Sequence, residues 1–155
     1  KKKFKLINQL KYIGNYNPRL NSNVNSWVDW SMSSYELVNF INAFEDPYNG
    51  AQTKINNIDV RIKKVQLHGG EISNHPYMSG IISRHDKEWI IVSTKDKNML
   101  IIEEVLNKKK ENIINKLKPG DRFISPVKMI FKSKQRVKYS SKGLKKRVNG
   151  RKSKK

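Results

Sequence analysis

The chain of 155 residues contains no cysteine. That absence excludes disulfide scaffolds, thiolate zinc sites and thiol nucleophiles together, while leaving the redox compartment open. Long apolar runs are missing as well. The longest, Trp89-Ile90-Ile91-Val92 and Met99-Leu100-Ile101-Ile102, fall far short of the roughly 20 residues that a membrane-spanning helix needs. The opening Lys1-Lys2-Lys3-Phe4 is basic but has no apolar stretch behind it, so it is not expected to be a secretory signal. It also lacks an initiator methionine, and the chain is expected to be a piece of something longer, residing in the cytoplasm. Histidine is scarce: His68, His75 and His85 fall in predicted loops or turns without ligand spacing, and no metal site is expected. Neither a nucleophile elbow nor a glycine-rich phosphate loop occurs, and Gly69-Gly70 is only a turn signal. Nothing in the residues themselves marks a self-contained active site.

Acid is the other shortage. Only 13 Asp and Glu face 33 Lys and Arg, a net charge of +20. Such an excess implies an anionic partner or neighbour, and says nothing of the fold. It is unevenly spread: residues 128–155 hold 13 basic residues and no acid, whereas residues 1–127 hold 20 basic and 13 acidic, a net of +7. In residues 140–155 only Leu144 and Val148 could be buried, too little to offset the entropy of ordering, so this tail is expected to be disordered. It is either a solvated terminus or an arm that binds phosphates by releasing counterions.

The body carries periodic signals. Ser33-Ser34-Tyr35-Glu36 has the form of a capping box, and Leu37, Phe40, Ile41 and Phe44 behind it share one helical face. The spacing predicts an amphipathic helix over 34–45, stopped by Pro47 and Gly50. The period then becomes two. Strands are predicted over 51–55 and 58–67 around an Asn56-Asn57 hairpin turn, with a bulge near Lys63-Lys64 where Val65 and Leu67 leave the phase of Ile58, Val60 and Ile62. Residues 68–77 read as a loop, and further strands are predicted over 79–83, 89–93 and 99–105. A short helix over 111–117 closes at Pro119-Gly120. One helix followed by about five closely spaced strands indicates mainly β structure with helices, arranged as a small barrel, with a β-sandwich as the competing architecture.

Asp29, beside Trp27 and Trp30, is either an acid of raised pKa or a cap and ion-pair partner, the latter preferred. Lys54, Arg61, Lys63 and Lys64 gather on neighbouring strands, and with the Lys108-Lys109-Lys110 run they are the candidate phosphate-binding residues. Their alternative role is ordinary solubilising charge. Trp27, Trp30, Phe40, Phe44 and Trp89 suit core positions better than stacking platforms.

Three separated motifs carry a resemblance over residues 15–143. They are Asn25-Ser26-Trp27-Val28-Asp29-Trp30, the helix ending Asn42-Ala43-Phe44 with Asp46-Pro47-Tyr48-Asn49-Gly50-Ala51, and Lys118-Pro119-Gly120-Asp121-Arg122-Phe123. This order resembles the carboxy-terminal domain of the folate-dependent formyltransferases, which include methionyl-tRNA formyltransferases and sugar-nucleotide N-formyltransferases. The resemblance implies an OB-like barrel over 18–139, with residues 1–17 as a linker from a catalytic domain and 140–155 as an added basic tail. It implies 10-formyltetrahydrofolate as cofactor of the whole enzyme, with neither a folate site nor a catalytic residue in this chain. The partners it implies are that catalytic domain and either tRNA or a nucleotide sugar; a stand-alone RNA-binding module is a further possibility. Pro47 and Gly50 are expected to reverse the chain so that Ala51 enters the barrel beside the helix, with the Tyr48 ring packed.

Overall fold

In the computed structural model Asn21 opens the first helix, its side chain accepting from Asn23 N at 2.9 Å to cap α1 (Ser22–Asn25). The structure describes residues 7–8, 20–69 and 75–135, together with the paired strands Tyr139–Ser140 and Gly143–Leu144. Leu20–Gln135 forms one compact unit, and the paired strands Tyr139–Ser140 and Gly143–Leu144 fall in a second. Apart from residues 7–8, the expected linker lies outside the described residues, as does most of the expected tail.

The capping box forms as predicted. Ser33 accepts from Glu36 N, Glu36 accepts from Ser33 N at 2.8 Å, and α2 (Ser34–Asn42) follows. The helix stops short of residue 45 because its last turn tightens: Phe44 N and Glu45 N donate to Ile41 O and Asn42 O, one residue nearer than α-helical spacing. Leu37 and Ile41 are fully buried, each fixing about 1.5–3 kcal/mol of transfer free energy. Gly50 then reverses the chain at φ 90, where a Cβ would sit 2.8 Å from Ile62 O. Only glycine fits there, and Ala51 enters the sheet completely buried.

β1 (Ala51–Ile55) and β2 (Ile58–His68) pair around Asn56 and Asn57, both at positive φ (48 and 65), the conformation a two-residue hairpin requires. β3 (Ile82–His85), β4 (Ile90–Ser93), β5 (Met99–Leu106) and β6 (Phe123–Ile124) complete an antiparallel sheet in the order β3-β4-β5-β2-β1-β6. The sheet curls until its edges meet: Ile82 N donates to Asp121 O, Phe123 N to Gly80 O, and Ile81 bridges Arg122. The result is a barrel-like body, mainly β, whose interior is filled by Ile55, Ile62, Ile82, Ile90, Leu100, Ile102 and Phe123. α3 (Val127–Ser133) follows β6 and packs on α1, where Asn25 Nδ2 donates to Ser133 O at 2.6 Å.

Several expectations shift. No residue is inserted near Lys63-Lys64, because the register runs unbroken from Ile62↔Val105 to Val65↔Ile102. The phase change comes from Lys64, which adopts a left-handed φ of 52. β3 starts at Ile82 because Gly80, at φ 84 and tight against Phe123 O, turns the chain first. The predicted helix over 111–117 shrinks to a 3-10 turn, Ile114–Lys116, since Asn112 is drawn back to β5 by a bridge to Leu106. Phe40 and Trp89 are half-buried, whereas Trp27, Trp30 and Phe44 are buried.

Candidate functional site

Three chain segments converge outside the β1–β2 hairpin. The first is the turn Asp46-Pro47-Tyr48-Asn49, held over β2 by Gly50. The second is the hairpin's outward face, carrying Arg61 and Lys63. The third is the turn after β5, brought in by the pairing of Arg61 with Leu106. Asn107 shapes that turn by accepting from Lys109 N at 2.8 Å and Glu111 N at 3.0 Å, while Lys110 takes a positive φ of 64. With Trp27 they enclose a cleft of about 490 Å³.

The charges in this cleft are unequally matched. Lys63 is only 8% exposed, and its Nζ lies 2.5 Å from Asp46 Oδ1. The hydrogen bond from Lys63 holds the Asp46 carboxyl below its ordinary pKa. Asp59 receives Lys54 Nζ at 2.6 Å and Lys108 Nζ at 3.2 Å, and the Lys54 hydrogen bond is the main cause of its own lowered pKa. Arg61 differs. Half-buried, it donates to Gly50 O and Asn23 Oδ1, both at 3.2 Å and both uncharged. Burial lowers its pKa, yet a guanidinium keeps its proton near neutrality. Trp27 is 6% exposed, and its indole N–H meets no acceptor.

Of the four residues singled out from sequence, Arg61 and Lys63 line the cleft, Lys54 borders it through Asp59, and Lys64 is exposed away from its lining. Lys63 is not open charge, because the Asp46 turn covers it. Tyr48 is 53% exposed at the cleft rather than packed, which corrects the expectation for its ring. Lys108 and Lys110 were visible as a basic run, but only strand pairing sets them beside Arg61. Nothing local in the sequence marked Trp27 as a cleft wall.

Asp29 takes its preferred role. It accepts from Ser31 N and Oγ at 3.2 and 2.6 Å and from Lys134 Nζ at 3.0 Å. Burial raises its pKa, but these hydrogen bonds outweigh burial and leave it below the ordinary value. It is therefore no poised proton donor. His75 Nδ1 accepts from Tyr77 N, and His85 Nε2 lies 3.1 Å from Ile114 O. Among the described residues no three His, Asp or Glu side chains gather as metal ligands, and no helix is long and apolar enough to cross a membrane.

Residues 22–121 match the family model described as formyl transferase, C-terminal domain. No curated protein matches the chain.

Proposed function

The chain belongs to the formyl transferase C-terminal domain family, and from that membership we propose that it holds the acceptor for a formyl-transferring enzyme. The transfer itself, from 10-formyltetrahydrofolate to a primary amine, is assigned to a separate catalytic domain. Residues 1–17 would connect to that domain, residues 18–139 would form the accessory barrel, and 140–155 its basic extension. The acceptor we favour is methionyl-tRNA.

One observation carries this reading. After Asp46 and Asp59 have matched the lysines nearest them, Arg61, Lys109 and Lys110, with Lys64 farther along β2, still outnumber the remaining acids Glu104, opposite Lys63 on β5, and Glu111 in the turn. A surplus of that kind suits phosphates. Lys54 and Lys63 then act first as braces for the hairpin and for the Asp46 turn, and meet phosphate only at their margins.

Filter binding of tRNA at several salt concentrations tests the assignment, using the full chain and a chain ending at residue 135. The trimmed chain is expected to keep binding. Neutralising Arg61 or Lys64 should flatten the salt dependence by about one unit each without altering sequence preference. Binding that vanishes with residues 136–155 would favour a sugar-nucleotide enzyme instead. Strong tRNA binding with no catalytic domain able to associate would favour a stand-alone RNA module.

A further inference from the structure

We propose that the cleft beside Trp27 is a nucleotide-binding site, with a phosphate on Arg61 and a base against the exposed Tyr48 ring. The site stands whichever acceptor the enzyme uses.

The argument begins with Arg61. A guanidinium partly withdrawn from water, as in half-buried Arg61, is under-matched where it meets no anion. Here its protein acceptors are a peptide carbonyl and an amide oxygen. An anion entering the cleft would supply what they do not, through the paired N–H geometry that suits phosphate. Asp46 and Asp59 do not repel it, since Lys63 holds one while Lys54 and Lys108 hold the other. Lys110, exposed on the same rim, adds a further positive charge.

Phosphate alone leaves the aromatic side of the cleft unexplained. Trp27 and Tyr48 both line it; Tyr48, an exposed residue, offers a ring to stack on, whereas the buried Trp27 contributes wall rather than a free face. Ring faces bind bases by stacking, with little preference among them. The Trp27 N–H is buried in the same wall without a partner, and its resonance is a sensitive reporter of a molecule bound there. A volume of about 490 Å³ falls within the usual range for small-molecule sites. Phosphate donors and a stacking surface in one cleft describe a nucleotide better than either group alone.

The test uses the full chain labelled with ¹⁵N and titrated with ADP, UDP, uridine and pyrophosphate. The Trp27 indole resonance is identified by its loss in Trp27→Phe. Both nucleotides are expected to shift it, and each is expected to bind at least tenfold more tightly than uridine or pyrophosphate. Arg61→Met should weaken nucleotide binding about tenfold, the loss expected for one charged hydrogen-bond pair. Lys110→Asn, in an exposed turn where asparagine tolerates the left-handed backbone, should weaken it two- to fivefold and guards against misfolding in the first variant. Competition by a short single-stranded RNA would assign the site to the end of an RNA, whereas no competition would assign it to a free nucleotide; both keep the site. An unmoved Trp27 signal at millimolar nucleotide overturns the proposal. So does unchanged affinity in both variants, or pyrophosphate binding as tightly as UDP.

Discussion

Trp27 and Trp30 stand in one short motif and are buried almost equally, at 6% and 8% exposure, yet they sit in different kinds of surroundings. Trp30 is fully engaged. Its Nε1 donates to Thr53 Oγ1 at 3.0 Å, its ring stacks on Phe123 with centroids 5.4 Å apart and planes 14° from parallel, and its carbonyl accepts from Ser79 Oγ. Trp27 holds its place through its backbone, bridging Gln52, and leaves its indole N–H without an acceptor beside an open cleft. Burial alone therefore does not separate the two rings. The state of the polar atom does.

Breaking that contrast should show first at Trp30. Trp30→Ala is expected to cost about 3–5 kcal/mol in chemical denaturation, as for other large aromatic deletions in a packed core. Thr53→Val should cost about 1–3 kcal/mol, because Trp30 Nε1 and Ser125 Oγ both donate to the lost hydroxyl. Trp27→Phe removes an N–H that has no partner, so it should cost about 1 kcal/mol less than Trp30→Phe, which also deprives Thr53 Oγ1 of a donor. A loss at Trp27 as large as that at Trp30 would erase the distinction.

Acid gives the smallest effect and sharpens the same comparison. Asp29 and Asp46 both titrate below the ordinary aspartate value of 3.8. A carboxyl depressed by folding contributes stability above its unfolded pKa and loses it as pH falls through the folded one. Thermal midpoints should thus be level through neutral pH and decline below about pH 4. The Asp29 side chain, 17% exposed beside Trp30, should carry more of that decline than the Asp46 side chain, 77% exposed at the cleft. Asp29→Asn is therefore expected to flatten the acid limb of the melting profile more than Asp46→Asn.

The parts legible from sequence were those specified by neighbours along the chain. Ser33 and Glu36 announce α2 because a capping box is complete within one turn. Asn56-Asn57 announces the hairpin because its two residues alone supply the positive φ values. β6 was invisible: two residues, Phe123 and Ile124, are a strand only because Ile55 and Lys54 lie opposite. α1 is a single turn and α3 barely two, too short for apolar periodicity to register. The cleft follows the same logic. Arg61 and Lys63 were readable as charges on one face of a strand, but the burial of Lys63 depends on a turn that folds back from the far side of Gly50. Lys110 reaches Arg61 only through the alignment of β2 with β5.

The contact between α1 and α3 has a practical consequence. With Asn25 bonded to Ser133, and Asp29 to Lys134, the entrance and exit of the Leu20–Gln135 unit stand side by side. Such a body can be attached to other polypeptide at one point, like a bead hung from a single loop of thread. It should also tolerate circular permutation: a short flexible bridge from residue 135 to residue 20, with new termini opened at Asn56-Asn57, would preserve every strand pairing of the sheet.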